Sequence, residues 1–370
     1  MTDMFTPGRI GNLELKNRVV RSATWEALAD EEGRVTGSLI GYTLARIRGE
    51  VGLYIMGITA VSRNGLGMPG MTGMFNDEHV ESHQRLTEAV HEEGGTVALQ
   101  IAHVGAQASE ELLGTEAVAP SAVLHPSFQT MPRALSTDEV KQMVEAFGTA
   151  ARRAAQAGYD AVQIHAAHGY LLDQFMSPLF NQREDEYGEP SRFPLEVYDA
   201  VRKNAGDLPV LVKLSLDDFY PGSTTPDVAL QLARDLDRQG IDAIEVSAGI
   251  IASGKYSPSR SVKEEKDEGY FLELTRMAKK NVSCPVIAVG GFRSPEVIDR
   301  VLAAGDADFV SISRPLIREP RLVKRWSEGD REKPKCISCN RCFGTLKYGE
   351  GIQCMMELRE RRKEEQEKEE

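Results

Sequence analysis

Short runs rich in Val, Ile and Leu alternate with longer stretches of helical period along most of the chain. Eight runs predict strands, at residues 18–23, 52–56, 96–101, 161–165, 209–214, 243–247, 286–289 and 309–312. Most lack clean apolar/polar alternation, the mark of parallel strands covered by helices. Helices are predicted between and after them, including 77–93, 136–157, 226–239, 270–281, 295–304 and a final 320–328. The run STDE from Ser136 reads as a capping box, and Ser294 followed by Pro295 as an N-cap with a first-turn proline. Gly158, Gly240 and Gly305 stop helices before the next strand.

Eight β/α units predict a closed (β/α)8 TIM barrel ahead of a doubly wound open sheet. The expected division is a barrel over 1–330, a cysteine-rich segment over 331–358, and a charged tail over 359–370. That tail has no apolar face and is expected to fray in solvent. Barrel chemistry is built from the loops that follow the strands, which makes the long connections 102–135 and 249–269 candidate lids.

Composition narrows the partners. The 370 residues, 41% hydrophobic, suffice for one large core, and 44 basic against 56 acidic residues leave a net charge of −12. That balance opposes attraction to nucleic acid or anionic membrane. No segment approaches the roughly 20 apolar residues of a membrane span, and the start lacks a signal-peptide pattern, so a soluble cytoplasmic protein is expected. Four of the five cysteines, Cys336, Cys339, Cys342 and Cys354, lie at spacings suited to a metal rather than to two unstrained bridges. Cys284 reads as a buried thiol.

Three constellations carry candidate chemistry. His165, His168 and Tyr170 cluster just past the fourth strand, on the face where barrel active sites form. Gly290 and Gly291 after the seventh strand, with Ser313 and Arg314 after the eighth, match the place where this architecture binds phosphate. Arg314 supplies a bidentate partner. The pattern C-x2-C-x2-C-x11-C can wrap an iron–sulfur cubane, and structural zinc accepts four cysteines as well.

The segment HAAHGYLLDQFMSPLFNQREDEYG is similar to the hallmark of the Old Yellow Enzyme family, and the resemblance extends over nearly the whole barrel. It implies FMN. It further implies that His165 and His168 bind the carbonyl oxygen or anionic part of a ligand stacked on the flavin, with Tyr170 as proton donor. Along the flavin it places Ser22, Ala23 and Thr24 at the isoalloxazine edge, Gly57 nearby, Gln100 at the pyrimidine ring and Lys213 at N1 and O2. Relatives often have glycine where this chain has Ser313, and arginine where it has Lys213. Trp25 either walls the pocket or packs on the rim. Multidomain relatives, the dienoyl-CoA reductases and trimethylamine dehydrogenase, carry a [4Fe–4S] cluster at a similar CxxCNxC element.

The resulting expectation is an ene-reductase that passes hydride from FMN to an activated C=C bond of an unsaturated carbonyl compound. Because no G-x-G-x-x-G follows the cysteines, electrons are expected from NAD(P)H bound over the flavin, or through the cluster from an electron-donor protein. A homo-oligomer is expected. The rival readings are an FMN-linked dehydrogenase or demethylase working oxidatively, an electron-transfer subunit, and a flavin-free barrel lyase using Lys213.

Overall fold

The computed structural model describes residues 2–108, 110–128, 131–348 and 350–369. Eight parallel strands close on themselves in chain order: β1 (Val19–Arg21), β2 (Leu53–Ile55), β3 (Val97–Ala102), β4 (Ala161–Ala166), β5 (Val210–Ser215), β6 (Ala243–Ser247), β7 (Val286–Val289) and β8 (Phe309–Ile312). Pairing of β8 with β1 and of β3 with β4 completes the ring. Outside lie α1 (Gly37–Ile47), α2 (Glu78–Glu92), α3 (Thr137–Gln156), α4 (Arg192–Asn204), α5 (Pro226–Arg238), α6 (Leu272–Asn281), α7 (Pro295–Ala303) and α8 (Leu322–Ser327). The predicted barrel is the observed one. Ser136 and Glu139 form the reciprocal capping box at the start of α3, and Pro295 opens α7.

The barrel interior changes character along its axis. At the N-terminal end, Val20, Ala98, Ala161, Leu211, Ala243, Ile287 and Phe309 form one apolar cluster. An antiparallel hairpin, Gly8–Ile10 with Leu13–Leu15, contributes Ile10 and Leu15 to it. Two residues further along five of these strands, on the same face by the period of a strand, stand Ser22, Gln100, Gln163, Lys213 and Glu245, all buried. Polar side chains this deep need partners, and these five supply one another.

The ends of the chain depart from expectation. Residues predicted to fray fold as a helix, Met355–Glu369. Its sequence is dominated by strong helix formers, and it is anchored where Arg318 pairs with Glu357 and Glu360. The lack of an apolar face is as expected, since residues 359–367 are exposed. The connection 102–135 contains a 3-10 turn at Gly105–Gln107, a short helix at Glu110–Leu113 and a two-residue parallel pairing of Val118–Ala119 with Arg133–Ala134. No helix among the described residues is long and apolar enough to cross a membrane.

Candidate active site

β4 ends in His165 and Ala166, and the chain then turns sharply through His168 at φ 63° and Gly169 at φ 76°. A left-handed histidine is strained, at about 1–3 kcal/mol, so the turn must be held from several sides. The His168 N–H donates to Ser215 Oγ on β5, its Nε2 lies 2.7 Å from Ser247 Oγ on β6, and Gln107 donates to its carbonyl. Gln174 donates to the Gly169 carbonyl, and the Gly169 N–H to Asp173.

The turn brings three rings together. His165 meets His168 at 5.2 Å and Tyr170 at 4.8 Å between ring centroids, both edge-on. Burial pushes both imidazoles down, His168 to about 3, and the nearby Lys213 charge adds to the effect. Both rings are therefore neutral, each with one N–H to donate. Nδ1 of His165 is buried without a hydrogen-bond partner, the kind of orphan that a ligand satisfies. Burial also pushes the Tyr170 phenol up to about 12, keeping its proton in place.

Beneath the rings lies a closed polar network. Lys213 Nζ stands 3.0 Å from Glu245 Oε1 and donates to Ser22 Oγ; Ser22 and Gln163 donate to the two Glu245 oxygens; and Gln100 donates to Gln163. The predicted flavin contacts Ser22, Gln100 and Lys213 thus share one cluster, with protein partners already engaged. Thr24 pairs with Ser313 at 2.5 Å, joining the first and last strand ends, and Ala23 packs on the apolar floor. Gly57 also has a packing reason to be glycine: a Cβ there would fall 2.5 Å from the Thr24 carbonyl oxygen. The same Cβ would fall 2.1 Å from Glu26 Oε2, and the Gly57 N–H donates to Glu26.

On the opposite side of the mouth, Gly290 (φ 138°) and Gly291 (φ 75°) adopt conformations that side chains rarely enter. Arg314 donates from Nη1 to the Arg260 carbonyl and to Asn340, bridging the loop after β6 to the cysteine segment. Both bonds leave from the same nitrogen, so the remaining guanidinium N–H groups stay available to an anion.

Cys336, Cys339, Cys342 and Cys354 are free thiols that line a single cavity together with Arg314, Lys335 and Asn340, with no imidazole or carboxylate in its wall. As placed, no three His, Cys, Asp or Glu side chains among the described residues form a group able to hold a metal ion. The expected metal centre is therefore a grouping of donors in one cavity and not a formed coordination shell. Phe343, in the same segment, stacks on Trp25 at 5.8 Å, which places Trp25 at the rim beneath the C-terminal segment. Cys284 is a buried thiol as expected.

Several residues that build this site were not singled out from the sequence: Glu245, Gln163, Asp173, Asp218, Asn340 and Arg260. For two of them a signal existed. Glu245 and Gln163 are polar residues flanked by Val and Ile in the middle of their strands, at inward positions that only a partnered group can occupy.

Residues 3–333 match the sequence pattern of the NADH:flavin oxidoreductase / NADH oxidase family. The chain belongs to that family. It is an oxidoreductase barrel of Old Yellow Enzyme type. An NADH oxidase from Thermoanaerobacter brockii is 38% identical over 351 residues, covering 92% of this chain and 54% of that protein. Among solved structures, a 2-naphthoyl-CoA reductase in complex with 2-naphthoyl-CoA superposes with a TM-score of 0.88 at 27% identity, over 95% of this chain and 56% of that one. The Old Yellow Enzyme homologue from Zymomonas mobilis superposes at 0.78, also at 27% identity, over 96% and 98%. The chain thus spans about half the length of the first two relatives and nearly all of the third.

Proposed function

We propose that this Old Yellow Enzyme-type barrel is an FMN-dependent ene-reductase, oxidising NAD(P)H and reducing an activated C=C bond. The observation that carries the reading is the mouth of β4, where the neutral rings of His165 and His168 and the protonated phenol of Tyr170 stand together, with His165 Nδ1 lacking a protein partner. The surrounding residues suit a flavin phosphate and ring: Gly290 and Gly291 backbone with Arg314 for the phosphate, and Gln100 and Lys213 for the polar edge of the ring. Bound FMN would supply a hydride to the substrate and take one from the nicotinamide.

The protein's own part is positioning and proton management. His165 and His168 donate hydrogen bonds to the substrate carbonyl oxygen, on which charge grows as the adjacent double bond accepts hydride; one such donor is worth about 3–4 kcal/mol in a dry site. Tyr170 then delivers its phenolic proton to the carbon next to the carbonyl, which completes the reduction. Its high affinity for that proton keeps the donor loaded at neutral pH.

The all-thiol cavity supports the further proposal of a [4Fe–4S] cluster relaying electrons from a donor protein. Four cysteines meet the ligand count, and Arg314 and Lys335 beside them offset the negative charge of a thiolate-bound cluster. The test of the main reading is to measure the two half-reactions separately. Tyr170→Phe should slow reoxidation of the reduced protein by an enone while leaving its reduction by NAD(P)H nearly unchanged. Equal loss in both would make Tyr170 structural.

A further inference from the structure

Behind the His168–Gly169–Tyr170 turn, two carboxyl groups are buried against each other. Asp173, in the short helix Leu171–Met176, and Asp218, in the loop after β5, both have zero solvent exposure, and Thr224 joins them, donating from its hydroxyl to Asp173 and from its backbone N–H to Asp218. Two carboxylates bridged by one residue in a dry site repel each other, and each offers only acceptors, so a single proton held by the pair relieves both burdens.

The remaining contacts show where that proton is needed. Asp173 Oδ2 accepts the Gly169 N–H at 2.7 Å, and Oδ1 accepts Thr224 Oγ1 at 3.2 Å. Asp218 Oδ2 accepts Ser223 Oγ at 2.5 Å and the Thr224 N–H at 3.2 Å. Asp218 Oδ1 is buried without a partner of its own, which is the place left for the shared proton. Charged neighbours do not neutralise the pair. The histidines of the neighbouring segments, His165 and His168 at the end of β4 and His103 in the loop after β3, are all pushed down by burial and stay neutral. Lys213 is committed to Glu245. Asp217, the next residue in the loop, turns its Oδ1 to the Phe219 N–H.

We propose that Asp173 and Asp218 are a proton-sharing positioning pair for the catalytic turn: with one proton between them they hold Gly169, and loss of that proton releases it. Removing the proton leaves two anions side by side in a dry site, and since Asp173 holds the Gly169 N–H, the repulsion bears on the turn carrying the left-handed His168 and Gly169. Because Gly169 separates His168 from Tyr170, a shift there misaligns the oxygen-binding ring and the proton donor together. Burial and mutual repulsion raise the pair above the ordinary carboxylate range, which puts its ionisation on the alkaline side of an aspartate.

The inference rests on the proposed role of Tyr170, and the experiment separates the two. Asp173→Asn keeps an acceptor for Gly169 and an amide donor for Asp218, and removes the titration. In the parent holoprotein, enone-driven reoxidation should fall about tenfold per pH unit above the pair's ionisation, whereas thermal stability should fall as pH rises from the ordinary aspartate range to that ionisation and level off above it. In Asp173→Asn both limbs should flatten, and Asp218→Asn should do the same from the other partner. If the stability limb flattens while the parent reduces no enone at any pH, the pair stands and the ene-reductase reading fails. If either variant folds and keeps the parent's fall in stability between the ordinary aspartate range and the pair's ionisation, the shared proton is refuted.

Discussion

Lys213 on β5 and Glu245 on β6 form an ion pair inside the barrel, 3.0 Å apart, with the Glu245 side chain fully buried. Register makes the contact, since the two residues are direct partners across the parallel ladder. Burial by itself would push the Glu245 carboxyl up, and the Lys213 charge with hydrogen bonds from Ser22 and Gln163 more than offsets it, leaving it below the ordinary range.

Breaking this pair should be costly. Glu245→Ala leaves an unpaired ammonium in the core, and a loss of about 3–5 kcal/mol in denaturant unfolding is expected. A depressed carboxyl stabilises the fold above its unfolded value and loses that contribution as pH falls through its folded one. The gap between parent and Glu245→Gln should therefore narrow only in acid, below about pH 4, and a gap that is constant from neutral pH downward would contradict the pairing.

The histidines should act as neutral donors. His168→Ala is expected to slow enone reduction by roughly 100- to 1,000-fold. Since burial holds His168 down to about 3, phenol binding followed by its charge-transfer band should show no histidine titration near the usual 6.5. A break in affinity there would show that an imidazolium forms.

Arg314 has two duties that one substitution exposes. Arg314→Ala removes the bridge to Arg260 and Asn340 as well as the proposed phosphate partner. FMN retention should weaken about tenfold or more, and limited proteolysis should cut faster between Cys336 and Cys354. Retention equal to the parent's would move the phosphate site elsewhere.

The cysteine cavity makes an analytical prediction. Anaerobically prepared protein should contain about four irons per chain. One zinc and no iron would exclude the cluster. Full NADH-driven turnover in a folded Cys354→Ser protein that has lost its iron would remove the relay and leave the thiols a structural part.

The barrel was legible because its signals are local. Apolar runs of strand length, the STDE cap at Ser136 and stop glycines such as Gly158 each act within a few residues, and their repetition eight times leaves few architectures. The clustering of His165, His168 and Tyr170 was legible for the same reason, as they lie within six positions of one strand end. The pairing of Lys213 with Glu245, the Thr224 bridge between Asp173 and Asp218 and the bridge from Arg314 to Asn340 were not legible, because each joins elements remote along the chain. Gly57 shows the limit most directly: the Thr24 carbonyl and Glu26 carboxylate that crowd any side chain there reach it only through the fold. The chain's own pattern thus determines the barrel and the chemical character of its mouth. Closure of the ring decides which buried charges meet, because register between strands, and not sequence neighbourhood, sets which side chains share the dry interior.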